Sequence, residues 1–140
     1  MKPKKRIALV AHDERKQDLL EWVQFNFDKI KSHDLYATGS TGKLVAETCQ
    51  LEVTRMKSGP LGGDQQLGAM IANEGLDMLI FFWDPMTAQP HDGDVKALLR
   101  MAVLYNIVVA SNRSTADFMI SSDLFGQPYQ PVRRDYGTLI

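Results

Sequence analysis

The amino-acid sequence predicts an α/β fold in which a five-stranded parallel sheet is doubly wound, with helices on both faces. Three observations predict it. Short β-rich runs alternate with helical patterns, the connections between them are brief, and the run 79–82 is apolar at every position, as expected for a strand covered on both sides. Parallel strands need helical crossovers, which gives the topology shared by Rossmann and flavodoxin-like folds.

The predicted strands span 5–11, 34–37, 52–57, 77–83 and 107–110. Apolar residues recur at helical spacing between the first two strands and again before the last one. These stripes are Leu19, Val23, Phe27 and Ile30, and Val95, Leu98, Leu99, Ala102 and Val103. Each stripe is predicted to be the helix face that packs on the sheet.

The length of 140 residues is that of one domain, and a domain of this size buries roughly two-thirds of the surface of its unfolded chain. The sequence contains no linker, repeat or low-complexity tract. We therefore expect one domain over 1–140. The segment after Phe125 has no clear period and includes two glycines and two prolines, so about 126–140 is predicted to be an irregular tail lying over the domain or a neighbour.

Charge and composition exclude several classes of protein. Sixteen basic residues against 17 acidic ones leave a net charge of -1, which gives no indication of a nucleic-acid or membrane partner. The basic start 1–6 resembles a signal peptide, but the apolar run 7–11 is too short, so we interpret the start as solvated charge before a strand. The single Cys49 cannot form an internal disulfide and is predicted to be an apolar filler on a helix. A cytoplasmic location is expected.

Polar residues follow each predicted strand. In open parallel sheets ligands bind beyond the carboxyl ends of the strands, so these loops are the place to search for a site. The loops are His12-Asp13, the run 38–42, the run 58–64, Asp84-Pro85 and Ser111-Asn112. All five are predicted to converge on one edge of the sheet.

Two of these loops have the chemistry of an anion site. The run 38–42 brings hydroxyls and glycines to a helix predicted to begin near Thr41, where free backbone N–H groups stabilise a phosphate. Ser58-Gly59 offers a second such loop, and Lys16 is placed to supply positive charge. The alternatives are a capped turn whose hydroxyls satisfy backbone N–H groups and a plainly solvated lysine. Neither loop has the spacing of a dinucleotide or Walker motif.

The run 59–66 contains three glycines and a proline before a helix, which is a costly loop in conformational entropy. It presents Asp64 at the start of that helix. From this run alone, a catalytic carboxylate and a helix N-cap are equally good interpretations of Asp64. Asp13 has the same capping alternative.

His91 is followed by two acids, Asp92 and Asp94, at the start of the fourth helix. A histidine there can act as an electrophile or proton donor near neutral pH, and Asp94 is placed to orient it. The alternative is an exposed histidine beside two capping acids. No closely spaced pair of His or Cys ligands supports a metal site. His33 lies in a polar turn and no function is predicted for it.

Five runs match one family pattern: 8–13, 37–42, 58–66, 81–85 and 90–100. Together they resemble the methylglyoxal synthase family, and the resemblance extends nearly end to end, from Ile7 to about Phe118. It implies a lyase that converts dihydroxyacetone phosphate to methylglyoxal and inorganic phosphate without a metal or organic cofactor. It also implies a homohexamer that phosphate inhibits.

The resemblance assigns roles to residues of this chain. Asp64 stands at the proton-abstracting carboxylate, and His91 and Asp94 stand at the active-site histidine and aspartate. The implied substrate- and phosphate-binding residues are His12, Asp13, Lys16, Thr38, Ser40, Thr41, Ser58 and Gly59.

The chain departs from the family pattern in three places. Ser40 stands where the family often has threonine, and Gly93 where it often has proline. The tail after Phe125 departs more. There the family brings an arginine from an adjacent subunit towards the substrate phosphate, and Arg133 and Arg134 are the candidates for that role.

Two other classes of function compete with a lyase. A regulatory domain of the same fold needs the anion loops but neither Asp64 nor His91, and both are present. A receiver-type signalling module shares only the fold and predicts an acidic pocket after the first strand, unlike His12-Asp13 followed by Arg15 and Lys16.

Overall fold

The computed structural model describes residues 1–138; positions 139 and 140 of the predicted tail lie outside the described residues. The strands are β1 (Arg6–Ala11), β2 (Asp34–Thr38), β3 (Thr54–Met56), β4 (Met78–Phe82) and β5 (Val108–Ala110). The helices are α1 (Lys16–Phe25), α2 (Phe27–Ile30), α3 (Gly39–Cys49), α4 (Gly63–Ala72), α5 (Asp92–Leu104) and α6 (Arg113–Ile120). All five predicted strands are confirmed, with ends shorter or longer by a few residues.

The strands form one sheet in the order β3-β2-β1-β4-β5, and every pairing is parallel. Ile7 of β1 pairs with Leu35 on one side and with Met78 on the other. The strand order reverses between β1 and β4, and in doubly wound sheets the crevice beyond the carboxyl ends at this reversal is the preferred ligand site. The predicted doubly wound fold is confirmed.

Helices cover both faces of the sheet, because alternate residues of each central strand point to opposite sides. Leu9 of β1 belongs to a core shared with α1, α3 and α6, whereas Val10 belongs to a core shared with α4 and α5. All five residues of β4 are buried. Cys49 is buried at the end of α3, as predicted. Within residues 1–138 no helix has both the length and the apolar character needed to cross a bilayer.

Polar contacts at the amino ends of the strands correct two predictions. The Lys5 side chain is fully buried rather than solvated, and its Nζ donates to the carbonyls of Lys2, at 2.6 Å, and Gln127. His33 also has a structural role, since its Nδ1 accepts the backbone N–H of Lys5 at 2.8 Å and its ring packs against Phe125. These contacts join the start of the chain to the tail.

The tail is irregular until a short 3₁₀ helix at Tyr136–Thr138. It lies over its own subunit at the amino ends of the strands. The Asn106 amide donates to the Val132 carbonyl at 2.8 Å, and the Arg133 guanidinium donates to the Tyr105 carbonyl at 2.8 Å and pairs with Glu74. The tail therefore lies at the opposite end of the sheet from the strand-end loops.

Asp77 is a buried carboxylate at the start of β4, and it bonds the backbone N–H and the guanidinium of Arg6 at 2.9 to 3.1 Å. Burial alone raises the pKa of Asp77, but its two kinds of hydrogen bond to Arg6 and the Arg6 charge outweigh burial and lower it. A carboxyl with a lowered folded pKa stabilises the fold at pH above its unfolded pKa, and that stability is lost as pH falls through the folded pKa.

We predict that Asp77→Asn lowers the free energy of unfolding at pH 7 by about 1.5 to 3 kcal/mol, the range for hydrogen bonds to charged groups. The difference from wild type should shrink as pH falls below 4, because the Asp77 carboxyl then becomes protonated, first in the unfolded chain and at lower pH in the folded protein. Urea denaturation across pH measures both effects. Asp34→Asn is the matched control, since the exposed Lys4–Asp34 pair contributes under about 1 kcal/mol. A constant difference at all pH values would contradict this account.

Candidate active site

A cavity of 210 Å³ lies beyond the carboxyl ends of β1, β2 and β4, at the reversal of the strand order. Its volume is below that of pockets for drug-sized molecules, so it suits a small ligand. Ten of the predicted site residues line it: His12, Asp13, Lys16, Thr38, Ser40, Thr41, Ser58, Gly59, Asp64 and His91. A larger cavity of 460 Å³ near α6 is lined mostly by apolar side chains and lacks such a polar cluster.

Lys16 supplies the positive charge of the cavity. Its Nζ lies 2.6 Å from Asp13 Oδ1 and 2.6 Å from Ser40 Oγ, so it bridges the loop after β1 and the first turn of α3. The hydrogen bond from Lys16 lowers the pKa of Asp13. Asp13 lies inside a short 3₁₀ helix, Asp13–Arg15, and the N-cap of α1 is Arg15, so the capping alternative for Asp13 is wrong. Lys16 is directed to the predicted edge.

The two anion loops touch each other. Helix α3 begins at Gly39 rather than near Thr41, which places Ser40 and Thr41 in its first turn. Gly39 has φ +38°, and a Cβ added there would lie 2.8 Å from Cα of Ser58. Only glycine fits that backbone conformation and that approach. The N-terminus of α3 and the loop after β3 therefore form one continuous wall.

Asp64 is the second residue of α4, and the residue that caps this helix is Gly62, with φ +107°. The Asp64 side chain is 2% exposed, and its Oδ2 has no hydrogen-bond partner among residues 1–138. The capping interpretation of Asp64 is therefore wrong. Burial raises the pKa of Asp64, His91 opposes that shift, and Asp94 adds to it. A carboxylate kept poorly solvated in this way is a stronger base than one in water.

His91 lies directly beside Asp64. Its Nε2 is 3.6 Å from Asp64 Oδ2, which is too long for a hydrogen bond and leaves both groups able to bind a ligand. Gly59 makes this approach possible, because a Cβ at that position would lie 2.7 Å from His91 Nε2 and 3.2 Å from Asp64 Oδ2. Gly59 is thus required by close packing rather than by a positive φ.

Asp94 does not orient His91 as predicted. His91 Nδ1 is buried without a partner among the described residues, and the bond between these two residues joins the Asp94 backbone N–H to the His91 carbonyl at 2.9 Å. Asp94 lines the groove between α4 and α5, on the other side of Asp64 from the cavity residues. Its influence on the site is electrostatic and acts on Asp64.

His12 is buried at the end of β1, and its ring meets that of His91 edge-on with 5.9 Å between centroids. Its Nδ1 accepts the backbone N–H of Asp84 at 3.0 Å, and its Nε2 has no partner within the described chain. Burial, and then the proximity of His91, lowers the pKa of His12. Asp84 is a site residue that sequence reasoning placed in a strand-end loop without giving it a role.

Two of the five predicted loops do not line the cavity. The fourth loop, Asp84-Pro85, lines a neighbouring pocket, and the fifth loop, Ser111-Asn112, also lies outside the cavity. Asn112 instead caps α6 through its side chain, which accepts the Thr115 N–H at 2.9 Å. Gln89 lines the cavity although no sequence signal marked it. No group of three or more metal-ligating side chains occurs in residues 1–138.

The arrangement combines a cationic cradle, an unpaired buried carboxylate and two imidazoles around one small cavity. The cradle is suited to a phosphate group, since it joins an ammonium to a helix N-terminus. The carboxylate is suited to proton abstraction, and an imidazole beside it can stabilise negative charge on oxygen. These are the parts needed to form an enediolate from a small phosphorylated ketone.

The chain is similar to known proteins over nearly its whole length. The family model for the MGS-like domain matches residues 18–111. A methylglyoxal synthase from Leptospira interrogans is 59% identical over 136 residues, covering 97% of this chain and 92% of the relative. One from Coxiella burnetii is 57% identical over 132 residues, covering 94% and 92%. The crystal structure of methylglyoxal synthase from Elizabethkingia anophelis superposes with a TM-score of 0.94 at 54% identity, covering 99% and 92%.

The cradle gives a binding prediction that needs no turnover. Lys16→Met should weaken the binding of inorganic phosphate about 10- to 100-fold, because a charge-assisted hydrogen bond contributes about 1.5 to 3 kcal/mol. Isothermal titration calorimetry measures the affinity. Lys31→Met is the matched control, since Lys31 pairs with Asp28 at 3.4 Å away from the cavity. Equal phosphate affinity in the two variants would show that Lys16 is not part of the cradle.

Proposed function

The chain belongs to the methylglyoxal synthase family, and from this membership we propose that it converts dihydroxyacetone phosphate to methylglyoxal and inorganic phosphate, as a carbon–oxygen lyase. One structural observation supports this activity independently of the family name. The unpaired, buried Asp64 carboxylate lies beside His91 on the same cavity as the cradle of Lys16 and Ser40. A site of this kind holds a phosphate and a base a few ångströms apart.

The phosphate of the substrate occupies the cradle in this proposal. Lys16 Nζ and the first-turn N–H groups of α3 bind its oxygens, while Thr38, Ser40, Thr41 and Ser58 supply hydroxyls. Gly59 gives backbone access. The phosphate is thereby fixed before the chemistry begins, which converts the reaction to one between positioned groups.

Asp64 then removes a proton from the hydroxymethyl carbon. As negative charge develops on the carbonyl oxygen, His91 donates a hydrogen bond to it, and an enediolate forms. An unperturbed aspartate has a pKa of about 3.9 and is a weak base. Burial, which raises the pKa of Asp64, makes the transfer less uphill.

Loss of phosphate follows from geometry. The bond from carbon to the phosphate oxygen breaks readily only when it stands roughly perpendicular to the enediolate plane, because it then overlaps the π system. The electron pair leaves with phosphate, and the remaining enol tautomerises to methylglyoxal. No step of this scheme requires a metal ion or an organic cofactor.

Product phosphate binds the same cradle as the substrate, so inhibition by phosphate is part of the proposal.

A homohexamer and a single domain over 1–140 stay predictions, as does a cytoplasmic location. Both candidate arginines for a neighbouring active site are exposed, but Arg133 pairs with Glu74 of its own chain and donates to the Tyr105 carbonyl. We therefore favour Arg134.

Asp64→Asn tests the base. We expect kcat to fall at least 1000-fold, within the range for removal of a general base together with its charge. The thermal midpoint at pH 7 should stay equal or rise. A raised folded pKa means that the ionised carboxyl destabilises the fold at pH above the unfolded pKa, and asparagine removes that charge.

The assay follows methylglyoxal formation with a chelator present, and Asp28→Asn on the exposed face of α2 is the control. Near-full activity in Asp64→Asn would overturn the assignment of the base. Turnover that stops on chelation would overturn the metal-free scheme. Tight binding of phosphate by wild type with no turnover would instead support the regulatory class.

Asp94→Asn tests the electrostatic influence of Asp94 on Asp64. Asp94 raises the pKa of Asp64, and turnover needs Asp64 ionised. Removing the Asp94 charge should shift the acid limb of the kcat profile to lower pH and lower kcat at neutral pH, because the base is weaker. Asp92→Asn, whose side chain bonds the Gln89 N–H, is the control. An unshifted acid limb would contradict this role.

A further inference from the structure

We propose that Asp84 is a positioning residue of the active site, whose loop fixes His12 as the neutral imidazole with its proton on Nε2. His12 then presents an uncharged hydrogen-bond donor to the cavity. This inference rests on the proposed function, because it concerns how the site handles a developing oxyanion.

The tautomer follows from one hydrogen bond. The backbone N–H of Asp84 donates to His12 Nδ1 at 3.0 Å, and a ring nitrogen that accepts a hydrogen bond carries no proton. In neutral imidazole the proton is then on Nε2. Nε2 is buried and has no partner within residues 1–138, and the His12 ring lines the cavity. A buried donor without a partner is expensive, so this atom is suited to a ligand oxygen.

The Asp84 side chain holds the loop that aims this N–H. Asp84 is buried, and its Oδ1 accepts the Met86 N–H at 3.0 Å. The Met86 bond and a further bond from the Thr87 side chain lower the pKa of Asp84, so the carboxylate stays ionised. This is an Asx turn, in which an aspartate closes a loop on its own backbone two residues ahead. The His12 N–H in turn donates to the Phe82 carbonyl at 3.2 Å, which ties the ends of β1 and β4 together.

The charged form of His12 is disfavoured by the same contact. A proton on Nδ1 would face the Asp84 N–H, which places two donors against each other. Four ionisable groups face His12: His91 and Asp92 from the start of α5, Asp84 from the loop after β4, and Asp13 beside it in the chain. The three acids favour the charged form, but burial and His91 outweigh them and lower the pKa of His12.

A neutral donor suits the proposed chemistry. An imidazolium gives up its proton readily and would protonate the enediolate, whereas a neutral imidazole N–H stabilises the oxyanion and keeps its proton. The His12 and His91 rings meet edge-on with their centroids 5.9 Å apart. A positive charge on His12 would therefore also be repelled by a positive charge on His91. The role of Asp84 is therefore to keep His12 neutral and directed.

Nitrogen-15 NMR of the histidine side chains in full-length protein tests the tautomer directly. His12 signals are assigned by their loss in His12→Asn. In wild type we expect an unprotonated Nδ1 and a protonated Nε2 at pH 7 and above. Asp84→Ala should move His12 towards mixed tautomers, because the Asp84 N–H is no longer held against Nδ1. Asp84→Asn should keep the wild-type tautomer of His12, because the amide oxygen of asparagine still accepts the Met86 N–H.

Asp92→Asn is the matched control, because it removes an acid that faces His12 and leaves the Asp84 bond intact. A protonated Nδ1 in wild type at pH 7 would overturn the proposal. An unchanged His12 tautomer in Asp84→Ala would do the same. If Asp84→Ala does not fold, the kcat values of His12→Gln and His12→Asn test whether Nε2 of His12 is the donor.

Glutamine places an uncharged amide donor near the position of Nε2, whereas asparagine reaches only the position of Nδ1. We expect His12→Gln to retain at least 10-fold more kcat than His12→Asn, with similar KM values. Equal kcat values would contradict an Nε2 donor. Wild-type protein without turnover of dihydroxyacetone phosphate would instead overturn the proposed function and leave the NMR result on the tautomer standing.

Discussion

The rest of the site depends on the burial of the Asp64 carboxylate, whose Oδ2 has no hydrogen-bond partner within residues 1–138. A buried charge that lacks hydrogen bonds is costly in free energy, so it persists only where the surrounding packing prevents the side chain from reaching water. Gly59 and Gly63 provide that structure, since a Cβ at either position would clash with His91 or with the Lys57 carbonyl. The close packing of the glycine-rich loop therefore brings a carboxylate, an imidazole and a backbone wall into one small volume.

The fold was predictable because its causes are local. Buried strands are apolar on both faces, helices carry stripes at helical spacing, and brief crossovers allow few topologies. What could not be predicted depends on contacts far along the chain. Lys5 follows a basic run and resembles a solvated residue, yet the carbonyl of Gln127 covers its ammonium. His33 is placed by Phe125 in the same way. Neither partner is visible from the neighbouring sequence.

The residues of the cavity were predictable for two reasons: parallel strands bring their carboxyl ends together, and the motifs there match a family. The errors concern hydrogen bonds and also positions, since Asp94 and the predicted loops Asp84-Pro85 and Ser111-Asn112 do not line the cavity. Asp94 has the right spacing to orient His91 but bonds it only through the backbone. Asp84 acts on His12 through its backbone N–H, and a backbone group has no signature in the sequence. Gly62, rather than Asp64, caps α4, because a positive φ at the helix start favours glycine.

The two ends of the sheet have different chemistry. At the amino ends, Asp77 and Lys5 have their partners, and the tail is secured over them. At the carboxyl ends, His12, Asp64 and His91 each have a buried atom without a hydrogen-bond partner in the described part of the chain. Adaptation of the protein to heat or to acid can therefore proceed at the amino ends alone. Substitutions that strengthen the amino ends change the melting behaviour without altering the groups of the cavity, so the usual trade-off between stability and activity is confined to one end of the sheet.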